Sequence, residues 1–397
     1  MDVDVLIDTN HTENDTRIDY STLYENETTG NYNSSSSVPF LPGRFIPYIT
    51  WLILMALIGT AGNLLIIFSL VVSKKLRVIS NIFVVNLAFA DIFVTTIIDP
   101  FSVVAVFNEG EFFYSHPGLC IFAGAFVVTC CACSIWTIVA ISVERYIHIC
   151  HRAVYPKIFN RSTAPVILVF LWIIAFSIAL PYFEVFGWGI YGYFPKGRIC
   201  TCIFNVSYFY SWYLIGFELI LPMIIIPFCY INIYLLVRKS GRRLTKHNVV
   251  TRNPHKWQDA DMRILKMVIT IWAVFMIMWA PYTTNVLFDT NASWPDLFFI
   301  TAVAFCLSNS SINFIIYGIM NENFREAYVM VLVKILPAFK TTFVKDDEER
   351  ENASVVDSKS LGASRAMQTS NSCLTDMTDT SKTGTNSPVW DISSKVC

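Results

Sequence analysis

The chain has 397 residues, 54% of them hydrophobic and 15% charged, with a mean hydropathy of +0.50 and a formal net charge of −1. Soluble globular domains carry about 25% charged residues, so this composition argues against an ordinary soluble fold and suits a membrane-embedded core with polar ends. The eleven cysteines lie mostly inside apolar blocks and do not read as a disulfide framework, and no nucleic-acid partner is expected.

Residues 1–44 form a polar, acidic head, expected to be a disordered, glycosylated extracellular N-terminus. Asn10, Asn14, Asn26 and Asn33 each open an Asn-X-Ser/Thr acceptor triplet. No basic segment followed by a short apolar run and a cleavage site opens the chain, so the first apolar block is expected to direct insertion itself.

Seven apolar blocks follow, at about 46–73, 80–106, 118–150, 163–186, 208–238, 262–289 and 294–320. Each is near the roughly 20 residues that a spanning helix needs. The third, from Cys120 to Arg145, would cover roughly 37 Å as one helix, slightly more than a hydrocarbon core of about 30 Å. The expected fold is therefore an all-α membrane protein, a seven-transmembrane helix bundle in the lipid bilayer over residues 45–335. An odd count without inverted repeats or a continuous polar path argues against a transporter or channel. No His-Glu-x-x-His or nucleophile-elbow pattern suggests an intramembrane enzyme.

Orientation follows from Lys and Arg. Lys74, Lys75 and Arg77 follow the first block, Arg152, Lys157 and Arg161 the third, and a dense basic run from Arg238 to Lys256 the fifth. The alternate loops carry only Lys196 and Arg198. The positive-inside rule puts the head outside and the long basic loop in the cytosol, in agreement with the sequons. Residues from Asn323 to Ile335 have an amphipathic pattern that stops at Pro337, the mark of a short eighth helix at the inner interface. Residues 336–397 are Ser/Thr-rich and polar, an expected disordered cytoplasmic tail open to phosphorylation.

Some residues carry chemistry by position alone. Asp91 is a carboxylate in mid-membrane, costly unless paired, hydrated or protonated. Pro222 and Pro281 each remove a backbone hydrogen bond and give helices a place to bend. Glu144 and Arg145 can pair at the inner end of the third block. Cys130, Cys131 and Cys133 read as small buried hydrophobes, and His148 and His151 as the polar end of a helix.

These residues resemble a rhodopsin-like (class A) G-protein-coupled receptor over about 46–335. Each block supplies an anchor: Gly62-Asn63; Leu87-Ala-Phe-Ala-Asp91; Cys120 with Glu144-Arg145-Tyr146; Trp172; Pro222 with Tyr230; Trp279-Ala-Pro281; and Asn313-Phe-Ile-Ile-Tyr317. The local motifs resemble those of melatonin receptors and orphan relatives. Asn313-Phe-Ile-Ile-Tyr-Gly-Ile-Met-Asn-Glu-Asn-Phe-Arg325 is similar to their Asn-Ala-Ile-Ile-Tyr-Gly-Leu-Leu-Asn-Gln-Asn-Phe-Arg, and Arg198-Ile-Cys-Thr-Cys202-Ile-Phe204 to their Arg-Ile-Tyr-Ser-Cys-Thr-Phe. Three ligand-contacting positions depart from that pattern, with Tyr182, Val206 and Glu218 standing for an Asn, a Gln and a His. The resemblance thus implies the receptor class and not melatonin as the ligand.

The resemblance implies roles residue by residue. Cys120 would pair with Cys202, by register against Phe204, with Cys200 as the competing partner. Glu144, Arg145, Tyr146, Tyr230, Asp261, Asn313 and Tyr317 would form the G-protein switch, with Arg145 clasped by Asp261 in the inactive state. Ile135, Pro222, Phe275, Trp279 and Pro281 would link the pocket to the rearranging core. Asp91, Ser134, Asn309, Ser310 and Asn313 would hold a sodium ion, with a structural polar cluster as the alternative reading. Val127, Val128, Cys131, Tyr182, Leu214, Glu218, Trp279, Tyr282, Val286 and Val303 would line the ligand pocket. Val127 replaces the ammonium-binding Asp of aminergic receptors, and Leu307 replaces the retinal-bearing Lys of opsins, so neither a monoamine nor retinal is expected, and no covalent cofactor. The expected protein is a plasma-membrane, multi-pass receptor for a small, largely apolar extracellular ligand. It would signal to a heterotrimeric G protein, with inhibitory coupling favoured, and to arrestin and receptor kinases through the tail.

Overall fold

The structure is a computed structural model and describes residues 43–180, 189–203, 208–246, 254–289 and 293–335. The four sequons, Tyr182, Val206 and the Ser/Thr-rich tail lie outside the described residues, and so does the side chain of Asp261.

Helix α1 spans Ile46–Val72. Helix α2 spans Ser80–Phe107, α3 Pro117–Cys150 and α4 Thr163–Ala179. Helix α5 runs through Tyr208–Ile215, Gly216–Ile220 and Leu221–Lys246. Helix α6 spans Pro254–Phe288, α7 Asp296–Met320 and α8 Glu322–Ile335. Six of these are long and apolar enough to cross a membrane, and α4 is a shorter apolar helix. The fold is an all-helical membrane bundle with an added terminal helix. Large apolar side chains such as Val166, Val169, Phe170 and Ile173 on α4 are exposed, as expected of helices whose outer surface faces lipid. Helix α3 is central and packs against α2, α4, α5 and α6.

Helix limits depart from the apolar blocks because hydropathy reports the membrane and not the hydrogen-bond ladder. Helix α5 continues to Lys246 and α6 begins at Pro254, both beyond their apolar spans. Proline suits that first position, where its missing N–H costs nothing. Helix α4 ends at Ala179, before Pro181, well short of 186.

Two π-turns interrupt the ladder, at Val94–Ile98 in α2 and Gly216–Ile220 in α5. Their middle residues, Thr96 and Glu218, stand four before Pro100 and Pro222. A proline has no N–H for the carbonyl four residues back, and widening the helix there relieves the clash. The prolines thereby set the register of what precedes them, including Glu218.

Between α4 and α5 the chain forms a hairpin, β1 (Tyr191–Phe194) and β2 (Ile199–Cys202), pairing Tyr193 with Cys200 and Tyr191 with Cys202. It packs on α3 closely enough that a Cβ on Gly124 would lie 3.2 Å from the backbone of Thr201. This placement decides the disulfide. Cys120 is bonded to Cys200, with a Cα–Cα distance of 5.2 Å, and not to Cys202. Two residues further along β2, about 7 Å at strand rise, Cys202 is buried without a disulfide and lines the cavity beside Val127 and Val128.

Candidate functional site

Three sites lie along α3: a cavity towards Cys120, a buried polar core and an ion pair at Arg145. The cavity has a volume of about 70 Å³. Val127, Val128, Cys131, Leu214, Glu218, Trp279, Tyr282 and Val303 line it, as the sequence reading expects; Val286 does not. The sequence reading missed Ile199, Thr201 and Cys202 of β2, which close the cavity, and also Phe275, Cys306 and Leu307. No periodicity in the chain marks the hairpin, although the two cysteines around Thr201 hint that this loop is held near α3.

The walls are mostly apolar. Glu218 is the one carboxylate among them, brought there by the π-turn, and its Oε1 is shut off from solvent without a hydrogen-bond partner. At the floor, the rings of Phe275 and Trp279 stack 5.4 Å apart, and Tyr282 meets Trp279 edge-on at 6.1 Å. Ile135 is fully buried and Pro222 is buried on α5, so the expected packing residues occupy the layer beneath the cavity.

Below that layer Asp91 is fully buried. Its Oδ1 accepts from Ser134 Oγ at 3.2 Å and its Oδ2 from Asn313 Nδ2 at 2.8 Å, and Ser310 is buried as well. Asn309 is buried too, and Asn63 Nδ2 donates to the Ser310 carbonyl at 2.9 Å. The donor set is oxygen-rich, with a carboxylate and two hydroxyls, which fits a hard monovalent cation. A second polar link ties α2, α3 and α4: Asn86 donates to Thr137 Oγ1 at 2.8 Å and accepts from Trp172 Nε1 at 2.9 Å.

At the other end of α3, Arg145 Nε lies 2.9 Å from Glu144 Oε2 as a charge contact, without the alignment of a hydrogen bond. Glu144 is fully buried, and its Oε1 accepts from Ser80 Oγ at 2.9 Å and Tyr155 OH at 2.7 Å. Burial first, and then the Glu144 carboxylate, push the Tyr155 hydroxyl up to about 12, so it remains a donor. Sequence reading missed both Ser80 and Tyr155. Tyr230 shares a hydrogen bond with Ser142 Oγ at 3.1 Å, and Tyr146 shares one with His151 Nε2 at 3.1 Å. The Tyr317 hydroxyl is buried without a partner, with its ring 5.1 Å from Phe324.

A seven-helix membrane bundle with a strand-covered cavity, a buried carboxylate core and a Glu-Arg-Tyr terminus to its third helix defines a membrane receptor. The sequence profile of the 7 transmembrane receptor (rhodopsin family) matches residues 62–317, and the chain belongs to that family, whose members are receptors and not enzymes. Similar curated relatives are melatonin receptors. The type 1A receptor of Phodopus sungorus is 31% identical over 75% of this chain and 83% of its own length, and that of Mus musculus is 32% identical with the same coverage. The human type 1B receptor is 30% identical over 72% of this chain and 77% of its own. Among solved structures, squid rhodopsin superposes with a TM-score of 0.65 over 77% of this chain and 92% of its own, at 23% identity, a likeness of fold.

Proposed function

We propose that this receptor takes a small, largely apolar extracellular ligand in the cavity beneath the hairpin and transmits its binding to a heterotrimeric G protein at the Arg145 end. The observation that carries this reading is the unpartnered Glu218 oxygen in an otherwise apolar chamber whose floor is the Phe275–Trp279 stack. A shielded carboxylate oxygen without a donor leaves room for a ligand to supply one, so the ligand carries a cationic or hydrogen-bonding group set on an apolar body. Filling the chamber bears on Trp279, and through Phe275 on the layer around Ile135 and Pro222. Two packings of that layer, biased by the ligand, suffice for signalling without any catalysed step.

The basic loops and the head sequons support an orientation with the N-terminus outside the plasma membrane and Arg145 in the cytosol. Inhibitory coupling is favoured by the likeness to melatonin receptors. Melatonin itself is disfavoured, because Glu218 stands where their fifth-helix His does. Asp91, Ser134, Asn309, Ser310 and Asn313 would hold a sodium ion, which would supply the positive charge that the buried carboxylate otherwise lacks. The test is a ligand panel against wild type and Glu218→Gln: potency of the active compounds falls in the variant. Unchanged potency and unchanged basal signalling would remove Glu218 as the anchor.

A further inference from the structure

Helix α8 is held between two cations drawn from different parts of the bundle. Glu326 Oε2 pairs with Lys75 Nζ, just beyond α1, at 2.8 Å. One turn earlier, Glu322 Oε1 pairs with Arg263 Nη1, in the third turn of α6, at 3.0 Å. Among the described residues these are the ion pairs that reach across elements at the Arg145 end.

The two sides of this bracket differ in freedom. Helix α8 is fastened independently of its charges. Phe324 is fully buried against Tyr317, and Tyr328 OH donates to the Phe314 carbonyl at 3.1 Å. Helix α6 carries Pro281 in its interior, where a missing backbone bond lets its two halves move relative to each other. Between the α6 end and the α7–α8 corner lies a cleft lined by Arg263, Met267, Met320, Asn321 and Glu322, and the Arg263–Glu322 pair stands at its edge.

We propose that Arg263 and Glu322 form a releasable latch that holds the Arg145 end of α6 against α8, so that the pair must part before this end of the bundle opens. Both side chains are more than half exposed, and an exposed ion pair is weak. Weakness suits a latch, because a modest bias from the cavity then opens it. Glu322 also lies in the first turn of α8, where a negative charge is favourable on its own. Arg263 has no such second role, and that difference makes the pairing testable.

The experiment compares full-length wild type with Arg263→Gln, Glu322→Gln and the double variant, reconstituted in lipid discs. One readout is basal nucleotide exchange on a G protein, which rests on the coupling proposed above. The other is the distance between spin labels carried by noncanonical residues at the exposed positions 266 and 330, which needs no G protein. Each single variant raises basal exchange about two- to fivefold, the range open to an exposed pair. The double variant rises no further than the larger single effect, and the labels separate in all three. Additive effects, or label distances unchanged in every variant, overturn the latch. Label separation without exchange in any protein, wild type included, upholds the latch and overturns the coupling.

Discussion

The ring of Phe314 on α7 fills the notch left by Gly62 on α1: a Cβ built on Gly62 would lie only 2.1 Å from Phe314 Cδ1. The seam around it is laced with polar rungs, Trp51 Nε1 to Ser308 Oγ at 2.8 Å and Ser311 Oγ to the Met55 carbonyl at 2.8 Å. Gly62→Ala therefore overpacks the seam and lowers stability by about 1–3 kcal/mol. Phe314→Ala in the same chain, which places the relatives' small residue there, recovers most of that loss. Thermal unfolding of the purified single and double variants checks it; independent, additive losses would show that the two residues do not share the notch.

The hairpin predicts unequal consequences for its two cysteines. Cys200→Ser and Cys120→Ser each remove the crosslink, costing about 2–5 kcal/mol as loss of a native disulfide does. Cys202→Ser leaves it intact and changes the lining of the cavity instead. Surface expression separates the cases: it falls for the first two and holds for the third.

Tyr155 holds the carboxylate that also faces Arg145. Tyr155→Phe deletes one hydrogen bond to a charged, buried group, an interaction worth about 1.5–3 kcal/mol. Glu144 is then restrained by Ser80 and Arg145 alone, and basal signalling rises. Phe keeps the ring packing against Phe159, so a basal output equal to wild type would mean that this bond does not restrain the switch.

What the sequence made legible was whatever depends on hydropathy, charge placement and motif order: the helical membrane bundle with six long apolar helices and a shorter one, the eighth helix, the Asp91 cluster, the Glu144–Arg145 pair and eight of the cavity residues. What it hid depends on local backbone geometry. Register against Phe204 favours Cys202 as the partner of Cys120, but the placement of β2 against α3 gives the bond to Cys200 instead. Ser80 and Tyr155 come to Glu144 from the start of α2 and from a single helical turn, Tyr155–Ile158, whose approach no spacing encodes. The π-turns were hidden as well, although the prolines four residues on were in view.

The junction between α6 and α7 carries a pH dependence. Burial raises the affinity of Asp289 for a proton, but Ser293 Oγ and N, at 2.6 Å each, Trp294 N at 2.8 Å and the charge of Lys196 outweigh it and hold the carboxyl below its usual range. A depressed pKa contributes stability above the ordinary value, near 4, and that share is lost as pH falls through the lowered value. The wild-type unfolding midpoint should fall more steeply than that of Asp289→Asn as the pH drops below about 4. Parallel curves would show that Asp289 gains nothing from these donors.

The central claim is that the Arg145 end of α3 drives a G protein. The direct measurement is basal and ligand-evoked nucleotide exchange across a panel of heterotrimeric G proteins, with wild type and Arg145→Ala compared at equal surface expression. Wild type drives exchange on at least one of them, and Arg145→Ala loses that output. Output that persists unchanged in Arg145→Ala, or its absence from wild type across the whole panel, would contradict the account.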